Sequence, residues 1–400
     1  MNPDINNIIK DLKKQPIFQL SLADKELVHS NVLAWLTTDY PAFFLSVLEG
    51  MTTTEGDKVN TTNWRDEFLQ GKLKVKREYN NFDLCILRGL DPFFILENKN
   101  KSIPYLNQLV VYNKKSKSHN PERLLLSLAT DIPDRKNITD AGWKIVSYKD
   151  LAAAMKVDQL PPDIDSYRKS IIGDYQQFVS NLADLSNQLL SVDSYFIDDK
   201  VLKELADCRM DDLAQKIRYS SFAAQLSTDY LGREIVIADA KEIKKSEYKP
   251  GTVYASQDYT SRGGATGIIQ LAVKLHQDFD YSLKIQVQGE HYRHALEWLD
   301  IPSSCTKERM TQLLNSPRTQ PFFEEVAFGQ KELFEDSFYP VTKEIDEIES
   351  VKTDEKKNSI QGYNHFGLGF QYRSKKLLKN PDLTYRDLLS HMVEDLSRFL

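Results

Sequence analysis

The sequence has little of several residue types that define particular classes of protein. Only three cysteines, Cys85, Cys208 and Cys305, occur in 400 residues, and they lie far apart. This excludes a disulfide scaffold and a cysteine-based zinc site, and it is typical of a reducing compartment. The 16 glycines and 15 prolines are below average usage, which excludes collagen-like and disordered chains. No apolar run reaches the ~18 residues of a membrane-spanning helix.

Motifs of some common enzyme classes are missing as well. The sequence contains no GxxxxGK[ST], GxGxxG, HExxH or GxSxG string, which argues against nucleotide-driven translocation, dinucleotide binding, zinc peptidase and esterase chemistry. His291 and His294 are three residues apart, but no third zinc ligand lies near them in the sequence. The amino-terminal stretch is charged and lacks the apolar core of a signal peptide. We therefore expect a cytoplasmic protein that does not enter a membrane.

The order of predicted elements indicates two domains. Residues 1–195 are predicted to form an α/β domain, because helices are followed by three strands, a helix, two strands and a long amphipathic helix. The predicted strands cover 72–79, 82–87, 92–96, 123–130 and 142–151, and the predicted helices include 102–117 and 165–191. Residues 196–400 are predicted to form a C-terminal α+β domain of unknown role, with strand-like runs such as 267–275 and 281–289.

Two carboxylates and a lysine lie at the ends of neighbouring predicted strands. Asp83 is at the start of one strand, and Glu97 and Lys99 end the next one. Because a short turn joins the two strands, their ends are expected at one edge of the sheet. Carboxylate oxygens suit Mg²⁺, and a lysine beside the metal can orient or deprotonate water. The pattern favours metal-assisted hydrolysis of a phosphodiester, and a surface salt-bridge cluster is the alternative.

A combination of short strings strengthens the hydrolytic interpretation. F-D-L-C-I-L and F-F-I-L-E-N-K-N, followed by Gln108-x-x-x-Tyr112, resemble the PD-(D/E)xK nuclease superfamily. E-L-V-H-S-N-V-L-A-W-L at 26–36 is similar to the opening helix of one bacterial family in that superfamily, and W-x-I-x-S-Y-x-D-L at 143–151 fits its fifth strand. Phe82 replaces the usual proline before Asp83. The resemblance covers roughly residues 20–190. It implies a restriction-endonuclease-like core, with a mixed central sheet flanked by helices.

The resemblance also implies roles for individual residues. The catalytic set would be Asp83, Glu97, Lys99, Glu26, Gln108 and Tyr112. The ligands of Mg²⁺ or Mn²⁺ would be Asp83, Glu97, Glu26 and the backbone carbonyl of Asn98. Other interpretations stay open: Glu26 as a capping or surface residue, Gln108 and Tyr112 as part of an ordinary amphipathic helix, and His29 either as a substrate contact or as a packed histidine.

The charge around these residues suits a nucleic acid. Residues 71–117 contain ten lysines and arginines and four acids, a local net charge of +6 in a chain whose total is -6. A basic strip beside an acidic metal site is what a phosphate backbone requires. Lys101, Lys114, Lys115 and Lys117 are the candidate DNA contacts. The alternative is a solvated helix end, where the helix dipole favours lysine.

These observations together predict an enzyme, a Mg²⁺-dependent DNA nuclease that hydrolyses phosphodiester bonds and serves in phage or plasmid defence or in DNA repair. Two alternatives stay open. One is a catalytically inactive nuclease fold that acts as a DNA- or protein-binding scaffold, and the other is an effector gated by a partner or ligand. The sequence does not decide between endonuclease and exonuclease, between DNA and RNA, or between monomer and homodimer. It also does not decide which DNA sequence would be cleaved, or whether a protein partner binds through the C-terminal half.

Overall fold

The chain folds into two compact units. One contains residues 1–192 and 197–221, and the other contains residues 193–196 and 222–400. The computed structural model describes residues 3–21, 25–100, 104, 106–116, 121–132, 135–208, 210, 214, 217–218, 221, 236–237, 253–258, 268–276, 280–298, 316–317, 320–324, 328, 331–340, 353–354, 359–360 and 370–398.

Besides a short 3₁₀ helix at Val157–Gln159, ten α-helices have their bounds within the described residues of the first unit. They are α1 Pro3–Lys14, α2 Pro16–Ser21, α3 Lys25–Asp39, α4 Pro41–Gly50, α5 Arg65–Leu69, α6 Leu106–Lys115, α7 Arg135–Asp140, α8 Tyr148–Ala154, α9 Ser166–Ser191 and α10 Asp199–Asp207. The predicted long helix is present as α9, which begins after Asp165, whose side chain accepts a hydrogen bond from the Arg168 amide. This is the cap that a free helix N-terminus requires.

A five-stranded mixed sheet is the centre of this unit. Its strands are β1 Lys74–Tyr79, β2 Phe82–Arg88, β3 Asp91–Lys99, β4 Glu122–Ser127 and β5 Lys144–Ser147, in the order β1-β2-β3-β4-β5. The first three strands pair antiparallel, and β3, β4 and β5 pair parallel, with α6 connecting β3 to β4. The expected mixed α/β arrangement, a central sheet flanked by helices, is confirmed.

The two faces of the sheet pack against different helices, because side chains alternate along each strand. Leu84, Ile86, Phe94 and Leu96 belong to a large core with residues of α3, α4, α8 and α9. Cys85, Leu87, Ile95 and Leu125 belong to a smaller core with residues of α6 and α7. Residues that follow one another along β3 therefore face different helices.

The predicted strand over 142–151 is wrong in its second half. The strand ends at Ser147, and α8 begins at Tyr148. Ser147 accepts a hydrogen bond from the Asp150 amide at 3.0 Å, so it caps α8. A serine followed three residues later by an acid is a helix-start signal, and here it prevails over the apolar alternation. The string that resembles the fifth strand of the nuclease family is thus a strand followed by a helix.

The second unit contains a seven-stranded sheet in the order β11-β14-β10-β9-β8-β7-β6. Its strands are β6 Val236–Ile237, β7 Val253–Asp258, β8 Ile268–His276, β9 Asp280–Gln288, β10 His291–Trp298, β11 Phe334–Pro340 and β14 Phe370–Leu378. β12 Thr353–Asp354 and β13 Ser359–Ile360 form a separate pair, and α11 Tyr385–Ser397 follows. Among the described strands of this sheet, β6 and β7 pair parallel and the other neighbours pair antiparallel.

Buried polar groups connect α11 to one face of this second sheet. Asp395 accepts hydrogen bonds from the Tyr292 hydroxyl at 2.9 Å and from His294 Nε2 at 2.6 Å. His294 also lies between the rings of Phe322 and Phe328, at centroid distances of 4.3 and 4.1 Å. His294, which the sequence alone gave little reason to consider a zinc ligand, is thus part of a buried network. Within the described residues, no helix is both long and apolar enough to cross a membrane.

Candidate active site

Charged and polar residues end the buried central strand of the first sheet. β3 is apolar from Phe93 to Leu96 and finishes with Glu97, Asn98 and Lys99, all of which are buried. Burying ionised groups is unfavourable unless they are paired or hydrogen-bonded. The end of β3 therefore carries charged side chains in the interior, although burying them lowers the stability of the fold.

Asp83 lies against the end of β3 because the two strands separate there. The backbone pairing of β2 with β3 runs from Arg88–Asp91 to Leu84–Leu96. One step further, the backbone amide of Asn98 donates a hydrogen bond to Asp83 Oδ2 at 2.7 Å. A side-chain carboxylate thus takes the place of a backbone acceptor, which fixes Asp83 beside Glu97 and Lys99.

Glu97 and Lys99 form a buried ion pair. They are two residues apart on a strand, so their side chains point to the same face. Lys99 Nζ is 2.8 Å from Glu97 Oε1, and the two side chains are only 9% and 3% exposed. Opposite charges at this separation attract each other, which offsets part of the cost of burying them.

Helix α6 adds an amide and a phenol to the same cluster. Gln108 Nε2 donates to the Tyr112 hydroxyl oxygen at 2.9 Å, and it is also 3.5 Å from Glu97 Oε1. Burial and the charge of Glu97 raise the pKa of Tyr112, while the hydrogen bond from Gln108 and the charge of Lys99 act in the opposite direction. The carboxylate of Asp83 contributes to the same rise. The structure therefore brings Asp83, Glu97, Lys99, Gln108 and Tyr112 together.

Two residues of α3, Glu26 and His29, were also candidates for the site. Glu26 lies in the first turn of α3, and the position of its side chain is outside the described part of the structure. His29 is completely buried in the large core. Its Nδ1 is 3.0 Å from the Tyr175 hydroxyl, and its ring stacks on Phe178 at 5.2 Å. Of the two interpretations of His29, the structure favours the packed histidine.

Of the four lysines predicted to contact DNA, two are described. Lys114 and Lys115 are exposed in the last turn of α6. Lys115 Nζ donates to the carbonyl of Asn80 at 3.2 Å, so this lysine connects α6 to the turn between β1 and β2. Lys101 and Lys117 lie outside the described residues. The exposed lysines of β1, Lys74 and Lys76, extend the basic surface.

The oxygen atoms of the cluster suit a hard cation. Two carboxylates and the Asn98 carbonyl are the kind of donors that Mg²⁺ accepts, usually with several waters and substrate phosphate. In the described ranges, no three His, Cys, Asp or Glu side chains form a metal-binding group. Cys85 offers no thiolate, because burial and the charge of Glu97 raise its pKa to about 12. The donor set fits Mg²⁺ or Mn²⁺ held by few protein ligands.

One residue of this region was missed in the sequence. Tyr148, the first residue of α8, donates a hydrogen bond from its hydroxyl to the side-chain oxygen of Asn98. Tyr148 was predicted to lie in a strand, and its partner is 50 residues away. The only available signal was the helix cap at Ser147, which would have placed Tyr148 at a helix start.

Comparisons with known proteins add nothing about this site, so its geometry is the main evidence about its chemistry. No family model, curated protein or solved structure matches the chain.

Proposed function

We propose that the first unit is a metal-dependent nuclease that hydrolyses phosphodiester bonds in DNA. The observation that carries the proposal is the buried Glu97–Lys99 ion pair beside Asp83, whose carboxylate is held by the Asn98 amide. Two carboxylates and one ammonium held at the end of a buried strand are costly for stability, and function is a common reason for retaining them. The β1–β5 sheet with α6 is also the arrangement expected of a restriction-endonuclease-like core.

Each residue of the cluster would have its own role in the reaction. Asp83, Glu97 and the Asn98 carbonyl would hold Mg²⁺ or Mn²⁺, with Glu26 as a further ligand. When bound, such a cation neutralises charge on the phosphate and lowers the pKa of a coordinated water. Lys99, as the ammonium paired to Glu97, would orient the attacking water and stabilise charge that develops on the phosphate. Gln108 and Tyr112 would position Glu97, and the exposed lysines would contact neighbouring phosphates.

The experiment is cleavage of supercoiled, linear and single-stranded DNA by the purified full chain with Mg²⁺, Mn²⁺ or EDTA. Asp83→Asn should abolish cutting. Asp91→Asn, at the opposite end of β3, is the matched control and should cut like the wild type. The form of DNA preferred separates endonuclease from exonuclease, and an RNA panel tests the substrate class. Metal-independent cutting, or full activity in Asp83→Asn, would refute the proposal.

Burial of the cluster favours a second candidate, an effector gated by a partner or ligand. Glu97 and Lys99 are almost completely covered, so a phosphate reaches them only after some part of the protein moves. In such a gated effector, metal binding depends on Asp83, while DNA cleavage requires a partner or ligand that acts through the C-terminal half. Residues 1–221, once circular dichroism has shown that they fold, should then cut DNA faster than the full chain. Equal rates would remove this candidate. A chain that binds no metal would favour the inactive scaffold.

A further inference from the structure

Asn98 is held by two hydrogen bonds, one at its backbone and one at its side chain. Its backbone amide donates to Asp83 Oδ2 at 2.7 Å, and its side-chain oxygen accepts a hydrogen bond from the Tyr148 hydroxyl. Because side chains alternate along a strand, Asn98 points away from Glu97 and Lys99, into the large core. Asn98 and Tyr148 are each 1% exposed. The residue between the two charged groups of the cluster is thus fixed from the opposite face.

Tyr148 itself has little freedom to move. Its ring packs edge-on against His29 at a centroid distance of 5.0 Å and an interplanar angle of 88°. His29 is stacked in turn on the Phe178 ring at 5.2 Å. The backbone of Tyr148 is anchored by the capped start of α8. The hydroxyl of Tyr148 is therefore a rigid donor aimed at Asn98.

We infer that Tyr148 is a positioning residue of the proposed nuclease site and acts through Asn98; the inference rests on the proposed function. The hydrogen bond from Tyr148 holds the Asn98 side chain in one position, and so restrains the Cα atom that two peptide units share. One of them carries the amide that holds Asp83, and the other carries the carbonyl assigned to the metal. Tyr148 thus sets the geometry of two oxygen donors that it does not touch.

The variant Tyr148→Phe removes this hydroxyl and keeps the ring that packs on His29. We expect the affinity of the full chain for Mn²⁺ or Mg²⁺, measured by calorimetry without DNA, to fall about tenfold, as is usual when a residue that orients a metal ligand is changed. The kcat of DNA cleavage should fall, while the KM for DNA should not change, because Tyr148 is buried away from the exposed lysines.

Tyr175→Phe is the matched control. It removes an equally buried hydroxyl from the same core, but that hydroxyl contacts His29 rather than Asn98. Metal affinity should stay at the wild-type value in this variant even if its melting temperature falls. Asn98→Ala should reproduce the loss seen in Tyr148→Phe. Adding Tyr148→Phe to Asn98→Ala should then cause no further loss, since both changes break one contact.

The outcomes separate this inference from the proposed function. A loss of metal affinity in Tyr148→Phe but not in Tyr175→Phe supports it. Wild-type affinity in Tyr148→Phe, or equal losses in both tyrosine variants, overturns the positioning role and leaves the nuclease proposal intact. If Tyr148→Phe does not fold, wild-type metal affinity in Asn98→Ala, which breaks the same contact, would overturn it. A wild-type chain that neither binds metal nor cuts DNA overturns both.

Discussion

Because the Glu97–Lys99 pair is buried, we predict different effects on folding stability for single and double substitutions. Lys99→Ala leaves the Glu97 carboxylate in the interior without the ammonium that lies 2.8 Å from it. Removing one partner of a buried ion pair typically costs about 3–5 kcal/mol of folding stability. For a unit of this size, that corresponds to a fall in melting temperature of roughly 6–20 °C. Lys99→Ala should therefore be less stable as well as much less active than the wild type.

The double variant Glu97→Gln with Lys99→Met removes both charges together. Replacing a buried pair by neutral groups of similar size is often neutral for stability. This variant should melt near the wild-type temperature and still lack nuclease activity. Loss of the Lys99 ammonium alone should reduce kcat by about 10²–10³-fold, the usual effect of removing one group that stabilises transition-state charge.

Calorimetric melting and DNA cleavage by the same preparations are the measurements. Lys144→Ala is the control for the loss of a lysine. Lys144 pairs with Glu122 on the same sheet, but its side chain and that of Glu122 are 37% and 26% exposed. A solvated pair contributes about 0–1 kcal/mol, so this variant should hardly change the melting temperature. Equal stability losses in Lys99→Ala and Lys144→Ala would refute the reasoning about burial. Full activity in the double variant would refute the catalytic role.

Three further predictions concern groups outside this pair. Burial lowers the pKa of His391 from its ordinary value of 6.5, against the opposing charge of Asp395. His391 therefore binds a proton more readily in the unfolded chain than in the folded one, and the free energy of unfolding should fall as the pH drops below about 6.5. Urea unfolding of His391→Leu should show a weaker dependence of that free energy on pH, and an unchanged dependence would contradict this. Asp165→Ala, which removes the cap of α9, should cost about 1 kcal/mol by urea unfolding, and a loss below the measurement error would exclude the capping role. Cys85 should resist alkylation at pH 8 until the protein unfolds, because its pKa is raised to about 12; rapid labelling of folded protein would show that it is accessible.

Local patterns in the sequence were sufficient for the elements that carry the candidate site. The apolar runs around Asp83 and before Glu97, joined by a short turn, predicted two adjacent strands, and the four-residue spacing of Gln108 and Tyr112 predicted one helix face. These features depend on neighbours within a few residues, so they can be read without knowing the fold. The strand predicted over 142–151 was wrong in its second half, because Ser147 caps a helix that begins at Tyr148.

The remaining features depend on contacts between residues far apart in the chain. The sequence by itself determined that two carboxylates and a lysine end neighbouring strands. Only the tertiary structure decided that Glu97 and Lys99 pair in the interior and that His29 is packed against Tyr175, 146 residues away. The same holds for Tyr148 and Asn98, which are 50 residues apart. Hydrogen bonds of this kind depend on how α3, α8 and α9 pack on the sheet, because a buried polar group takes the partner that packing brings to it.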